Sequence, residues 1–323
     1  RKKKEFHLPL PIGKCTVAGG CSAEATSITM DANWRWPPGT TGYTNCYTGD
    51  SWDSSMCPDA ETCTKNCALE GVSETALLST YGVEKQAEGV KLGFKTGSNI
   101  GSRMYLMETD TTYKMLKLKN REFTFDVDVS NLACGINGAF YLVEMPEDGG
   151  VSTSNLAGAK YGTGYCDAQC PKDVKFIGGE ANVDDWGPSP SGRALGKYGA
   201  CCAEMDLWEA NSVTAVYTPH PCKVDSLFRC EGAECDKNAQ CDSAGCDFNS
   251  WRLGDQNFFG KGDSFAVDSS KPFTIVTQFV TSDGTDDGDL VEIRRHYVQG
   301  GKKIENSKAS WPGLANMSSL TDA

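Results

Sequence analysis

Within CCAEMDLWEANS, residues 201–212, three carboxylates fall inside six positions: Glu204, Asp206 and Glu209, beside Trp208 and the adjacent Cys201 and Cys202. Carboxyl groups held that close cannot all ionise cheaply, so mutual repulsion keeps at least one proton in the cluster near neutral pH. A cluster with one ionised and one protonated carboxyl can supply a nucleophile and a proton donor together, while a third carboxyl orients the nucleophile. A charged strand facing solvent and a cation site are alternatives that so short a pattern leaves open.

The element carrying these residues decides whether they meet. On an α-helix, positions 206 and 209 would be offset from 204 by about 200° and 500°, which scatters the carboxylates around the cylinder. On a strand, Glu204 and Asp206 share a face, but Glu209 has the wrong parity unless one extra residue bulges out between 206 and 209. With that bulge the two glutamate Cα atoms stand about 13 Å apart, and side chains leaning inward narrow the carboxyl gap to about 5–6 Å, the separation used in retaining glycoside hydrolysis.

The surrounding sequence supplies strands. EFTFDVDV puts Phe123, Phe125, Val127 and Val129 on one face and Thr124, Asp126 and Asp128 on the other, a half-buried strand. ITMDANWRW, VKLGF, SRMYLM, GAFYLVEM and PFTIVTQFV read the same way, and RRHYVQGGKKIE reads as a hairpin turning at Gly300-Gly301. Helical patterning is confined to DAETCTKNCALEG and SETALLSTYG. Many strands, Gly-rich turns and few helices predict an all-β sandwich of antiparallel sheets. The acidic tract SDGTDDGD, residues 282–289, reads as a solvated loop, with calcium binding the lesser alternative because the spacing of a calcium loop is incomplete.

Composition narrows the functional class. The 323 residues carry a formal charge of −12, which disfavours nucleic acid, and the basic start RKKKEF is too short to reverse that. No run approaches the about 18 apolar residues of a membrane span. Sixteen cysteines at irregular spacings, with only His7, His220 and His296 as possible co-ligands, point to disulfides rather than zinc and so to an oxidising, extracellular setting.

EMDLWEANS followed by TPHPC resembles the active-site signature of glycoside hydrolase family 7, secreted cellobiohydrolases and endoglucanases that cut β-1,4-glucan with retention. DANWRW, STYGV, RMYLM, DTTY, EFTFDVDVS, CGINGAFYLVEM and AGAKYGTGYCDAQCP also occur in family order. The resemblance implies a concanavalin-like jelly-roll sandwich of two large sheets with long cleft-forming loops. It assigns residues 14–323 to a partial catalytic domain, incomplete at its C-terminus, and leaves 1–13 unassigned. It makes Glu204 the nucleophile, Asp206 its hydrogen-bonding partner, Glu209 the general acid/base and His220 a neighbour of the cleavage point. Trp36 becomes a sugar-stacking platform, and Arg103, Asn137, Tyr141, Tyr165, Asp167, Gln169, Asp247 and Arg252 become contacts for sugar hydroxyls. No metal or organic cofactor is implied. The expected protein is a secreted monomer acting on cellulose or another β-1,4-glucan, with no nucleic-acid or membrane partner.

The resemblance also implies seven bridges: Cys15–Cys21, Cys46–Cys67, Cys57–Cys63, Cys166–Cys202, Cys170–Cys201, Cys222–Cys241 and Cys230–Cys235. Cys134 and Cys246 are left over, their family partners falling beyond Ala323, and Ala68 stands where a further cysteine is usual. Only DKNAQ separates Cys235 from Cys241, a shorter loop than cellobiohydrolases usually carry, and Ala244 stands where Asp is frequent. The long DDWGPSPSGRALGKYG loop points the other way, so cellobiohydrolase is the leading expectation, with endo-β-1,4-glucanase and a non-catalytic glycan-binding fragment as alternatives.

Overall fold

In the computed structural model, which describes residues 4–321, the alternation of EFTFDVDV becomes β1 (Arg121–Val127), with Phe123, Phe125 and Val127 half-buried and Thr124, Asp126 and Asp128 exposed. The first three residues of the basic start and the last two residues lie outside this description. The fold class is all-β. The chain divides into two compact units: the first comprises Arg1–Met115, Glu144–Ala203 and Cys222–Ser243, the second Leu116–Val143, Glu204–Pro221 and Ala244–Ala323.

The second unit is a sandwich. Strands β2 (Gly138–Val143), β3 (Glu204–Ala210) and β4 (Ala215–His220) form a three-stranded antiparallel sheet in the order β2-β3-β4. Strands β5 (Phe273–Thr281), β6 (Leu290–Gln299), β7 (Lys302–Glu305) and β8 (Ser319–Thr321) join β1 in a five-stranded sheet, ordered β1-β5-β6-β7 with β8 also on β6. The predicted hairpin is present. Gln299 pairs with Lys302, and Gly300 and Gly301 take φ of 58° and 74°, the left-handed pair that a two-residue hairpin loop requires.

Residues from both sheets share one core. Trp208 of β3 packs edge-on against Phe273 of β5 at 5.7 Å and Tyr297 of β6 at 6.5 Å, and Leu207 and Tyr217 lie with Phe279, Ile293 and Leu320. Truncating Trp208 to Ala would cost about 3–5 kcal/mol. The tract at 282–289 is an exposed loop between β5 and β6; Asp283 holds its own turn by accepting from Thr285 N at 2.9 Å, and Asp286 pairs with Arg121.

The first unit is built from short sheets and disulfides. Leu8–Pro9, Ser27–Met30 and Met104–Met107 form a three-stranded sheet over a core of Leu8, Ile28, Met30, Val72, Leu77, Tyr81 and Val83. Within the segment left unassigned by sequence, the Glu5 carboxylate also pairs with buried Arg35. Both helical patterns form helices, α1 (Ala60–Asn66) and α2 (Glu74–Ser79), opened by Asp59 and Ser73, whose side chains accept from Thr62 N and Ala76 N. ITMDANWRW, expected as one strand, is a strand only to Met30; Asp31 then accepts from Asn33 N at 2.6 Å and turns Ala32–Trp34 into a 3-10 helix.

All seven expected bridges are present, each within the first unit. Cys134 and Cys246 are free and exposed. Among the described residues no helix is long and apolar enough to cross a membrane.

Candidate functional site

A one-residue bulge in β3 builds the carboxylate cluster. Against β4, Glu204 stands opposite His220 and Asp206 opposite Thr218, but Glu209 stands opposite Val216, so three steps along β3 match two along β4. Against β2, Phe140 faces Trp208 and Tyr141 faces Asp206, which leaves Leu207 as the extra residue. The bulge lets two successive apolar side chains, Leu207 and Trp208, turn into the core, with 0% and 2% exposure. Glu209 thereby returns to the face of Glu204 and Asp206. The parity conflict in the sequence is resolved by the device it demanded.

The register also assigns the neighbours. Ala139, Tyr141 and Val143 of β2 and Val216, Thr218 and His220 of β4 lie opposite the three carboxylates, so this face is theirs as well. Glu204, Asp206 and His220 are buried, while Glu209 is partly exposed. His220 Nε2 lies 3.1 Å from Asp206 Oδ2, and carboxylate oxygens of Glu204 and Asp206 and a ring nitrogen of His220 all fall within 4.8 Å of one another. That spacing would admit a small cation, but Asp206 and His220 already engage each other. Asn137, just before β2, donates from Nδ2 to Glu209 Oε1 at 2.7 Å.

Burial raises the Glu209 pKa above the ordinary carboxylate value, and the Asp206 charge and a hydrogen bond shared with Asp206 raise it further; Asn137 and His220 pull it down. The sign means that Glu209 holds a proton to higher pH than a free glutamate would. Gly245, at φ 68°, passes close over this face: a Cβ there would meet Thr218 Cγ2 at 2.4 Å and His220 Cε1 and Nδ1 at 2.7 Å.

Within the first unit a second group of expected residues comes together. The Arg103 guanidinium lies over the Tyr165 ring, 3.2 Å from its centroid, and its Nε donates to Asp31 Oδ2 at 2.6 Å. Tyr165 OH donates to Asp167 Oδ2 at 2.5 Å, and Asp167 Oδ1 accepts from Gln169 N at 2.8 Å. Burial raises the Asp167 pKa, against the lowering effect of those two hydrogen bonds and the Arg103 charge. Trp36 stands outside this network and exposes 54% of its surface, available for stacking. In the second unit Asp247 and Arg252 form an ion pair with each other.

Sequence reasoning missed Asp31 and Tyr105, whose hydroxyl donates to Asp31 Oδ2 at 2.5 Å. Asp31 was visible in DANWRW, immediately before the 3-10 turn it caps. Thr218 was legible too, since it shares strand parity with His220 in TPHPC. Gly245 carried no sequence signal beyond being a glycine.

A family model described as Glycosyl hydrolase family 7 matches residues 1–323. Among solved structures, a family 7 cellobiohydrolase from Daphnia pulex is 50% identical with a TM-score of 0.97, covering 100% of this chain and 76% of that one. The endocellulase EGI of Humicola insolens is 37% identical, TM-score 0.87, with 100% of this chain and 78% of that one covered. A cellobiohydrolase of Melanocarpus albomyces, solved with cellotetraose, is 39% identical, TM-score 0.91, with 99% and 75% covered.

Proposed function

This chain belongs to glycosyl hydrolase family 7, and from that premise we propose that it is a secreted cellobiohydrolase releasing cellobiose from β-1,4-glucan with retention of configuration. Cellulase chemistry follows from the family. The greater likeness to the Daphnia pulex cellobiohydrolase, 50% identity against 37% for the Humicola insolens endocellulase, carries the choice of exo action. Seven disulfides support an oxidising, extracellular compartment.

In this reading Glu204 attacks the anomeric carbon as Glu209 protonates the departing glycosidic oxygen, giving a covalent glycosyl-enzyme. Glu209, now ionised, then takes a proton from the water that releases the sugar. The Glu209 pKa, raised by burial and by the neighbouring Asp206, suits it to the acid role. Asp206, bonded to His220, holds the middle of the cluster and orients its neighbours. Tyr141 and Asn137 line the same face, and Asn137 sets the Glu209 carboxyl in place. Asp247 and Arg252, in the unit that holds the carboxylates, contact sugar hydroxyls, and the first unit's Trp36, Arg103, Tyr165, Asp167 and Gln169 are assigned sugar-binding roles by the family resemblance alone. No cofactor takes part, and the protein acts as a monomer.

The short Cys235–Cys241 segment favours endo action as the second reading. Incubation with swollen cellulose separates the two. Cellobiose as the main product, with soluble reducing ends far outnumbering insoluble ones, supports the cellobiohydrolase. A dominant share of insoluble reducing ends, with rapid loss of viscosity in a soluble cellulose derivative, would establish the endoglucanase. Binding without new reducing ends would leave the glycan-binding fragment.

A further inference from the structure

Arg295 lies inside the sandwich of the second unit with 3% of its surface exposed. Its register places it there: on β6 it pairs with Thr277 of β5, which pairs in turn with Phe123 of β1, so the three form one inward row. A buried guanidinium costs several kcal/mol to desolvate unless a carboxylate compensates it. The acceptors Arg295 uses are neutral. Its Nε donates to Thr277 Oγ1 at 3.1 Å, its Nη2 donates to the Leu207 carbonyl, and its guanidinium carbon sits 4.3 Å from the centre of the Tyr217 ring. Among the described residues Nη1 has no hydrogen-bond partner. Apolar residues of similar volume would hold the two sheets together at least as well, so stability does not explain this arginine.

What Arg295 grips is the bulge. Leu207 is the extra residue of β3, and a bulged residue is left out of the ladder on which its neighbours spend their backbone groups. Its buried carbonyl, outside that ladder, needs a donor, and Arg295 supplies one. Asp206 precedes Leu207 and Glu209 follows two residues later, so the position of that carbonyl governs the step between the two carboxylates.

We propose that Arg295 is a positioning residue: by holding the Leu207 carbonyl from inside the sandwich, it fixes the bulge and hence the reach of Glu209 to the leaving-group oxygen. This rests on the reading of Glu209 as general acid. The test compares two aryl cellobiosides. 2,4-Dinitrophenyl β-cellobioside loses its leaving group without a proton, whereas phenyl β-cellobioside needs one, and kcat/KM reports the bond-breaking step for both. Arg295→Met should lower kcat/KM about 100-fold on the phenyl substrate and less than about tenfold on the dinitrophenyl one. Arg295→Lys, which retains a donor for the carbonyl, should recover at least about tenfold of the phenyl loss.

Equal losses on both substrates, or none, would overturn the role. If Arg295→Met is not recovered folded, Thr277→Val frees Nε without removing the charge and reads the same ratio. A phenyl loss at least about three times the dinitrophenyl loss sustains the proposal, and equal losses overturn it. The parental protein separates the two failures: no parental turnover on either substrate sinks the hydrolase reading and this role together, whereas active parent and equal losses sink the role of Arg295 alone.

Discussion

Removing the Asn137 amide should move the alkaline limit of activity upward. Its Nδ2 donates to Glu209 Oε1 at 2.7 Å, a bond that favours the ionised carboxylate and opposes the burial and the Asp206 charge that raise the Glu209 pKa. A hydrogen bond to a charged acceptor contributes about 1.5–3 kcal/mol. Glu209 is partly exposed, so water would replace some of that in Asn137→Ala, leaving about 1–1.5 kcal/mol. At 1.36 kcal/mol per unit the Glu209 pKa rises by about one unit. Bond cleavage needs Glu209 protonated, so the basic limb of the kcat/KM profile should shift alkaline by about one pH unit while the acidic limb holds. Profiles on an aryl cellobioside from about pH 3 to 9 measure this. A basic limb that stays put, or moves acid, would refute the assignment of that limb to Glu209.

Three further outcomes are expected. Gly245→Ala should lower kcat about 10- to 100-fold, because the new Cβ collides with Thr218 and His220 from a left-handed backbone; unchanged kcat would show that His220 tolerates displacement. Replacing Cys166 and Cys202 together by serine opens a bridge spanning 36 residues and should cost about 4 kcal/mol, read by denaturant unfolding, with a loss below about 1 kcal/mol contradicting a bridge in the folded protein. Alkylation of the oxidised, denatured chain should label Cys134 and Cys246 and no other cysteine; a Cys134–Cys246 bridge in the peptide map would contradict the pairing.

The carboxylate face was legible because strand parity leaves few solutions. Once helix was excluded, Glu204, Asp206 and Glu209 could meet only through an added residue, and Leu207 and Trp208, adjacent and both apolar, are the pair that a bulge turns inward. The half-buried β1 and the Gly300-Gly301 hairpin were legible for the same local reason, period-two alternation and turn chemistry. The bridges were not legible from spacing, since sixteen cysteines allow many pairings; they came through family resemblance. Arg295 escaped notice altogether. In VEIRRHYVQ it looks like a solvent-facing charge next to Arg294, although its strand parity with Ile293 and Tyr297, both buried, sets it on the inward face opposite Thr277. The strand expected through DANWRW failed at Asp31 because a side-chain hydrogen bond to Asn33 N outcompeted strand pairing.

The division of labour between Glu204 and Glu209 is tested most directly by azide rescue of the two alanine variants on 2,4-dinitrophenyl β-cellobioside. In Glu204→Ala, azide enters the space of the missing nucleophile and attacks from the face opposite the leaving group, so the product should be the α-cellobiosyl azide. In Glu209→Ala the glycosyl-enzyme still forms on Glu204, and azide then displaces it from the other face, giving the β-cellobiosyl azide. Proton spectra of the anomeric centre distinguish the two. The reverse assignment of products, or parental hydrolysis by Glu204→Ala without azide, would contradict the account.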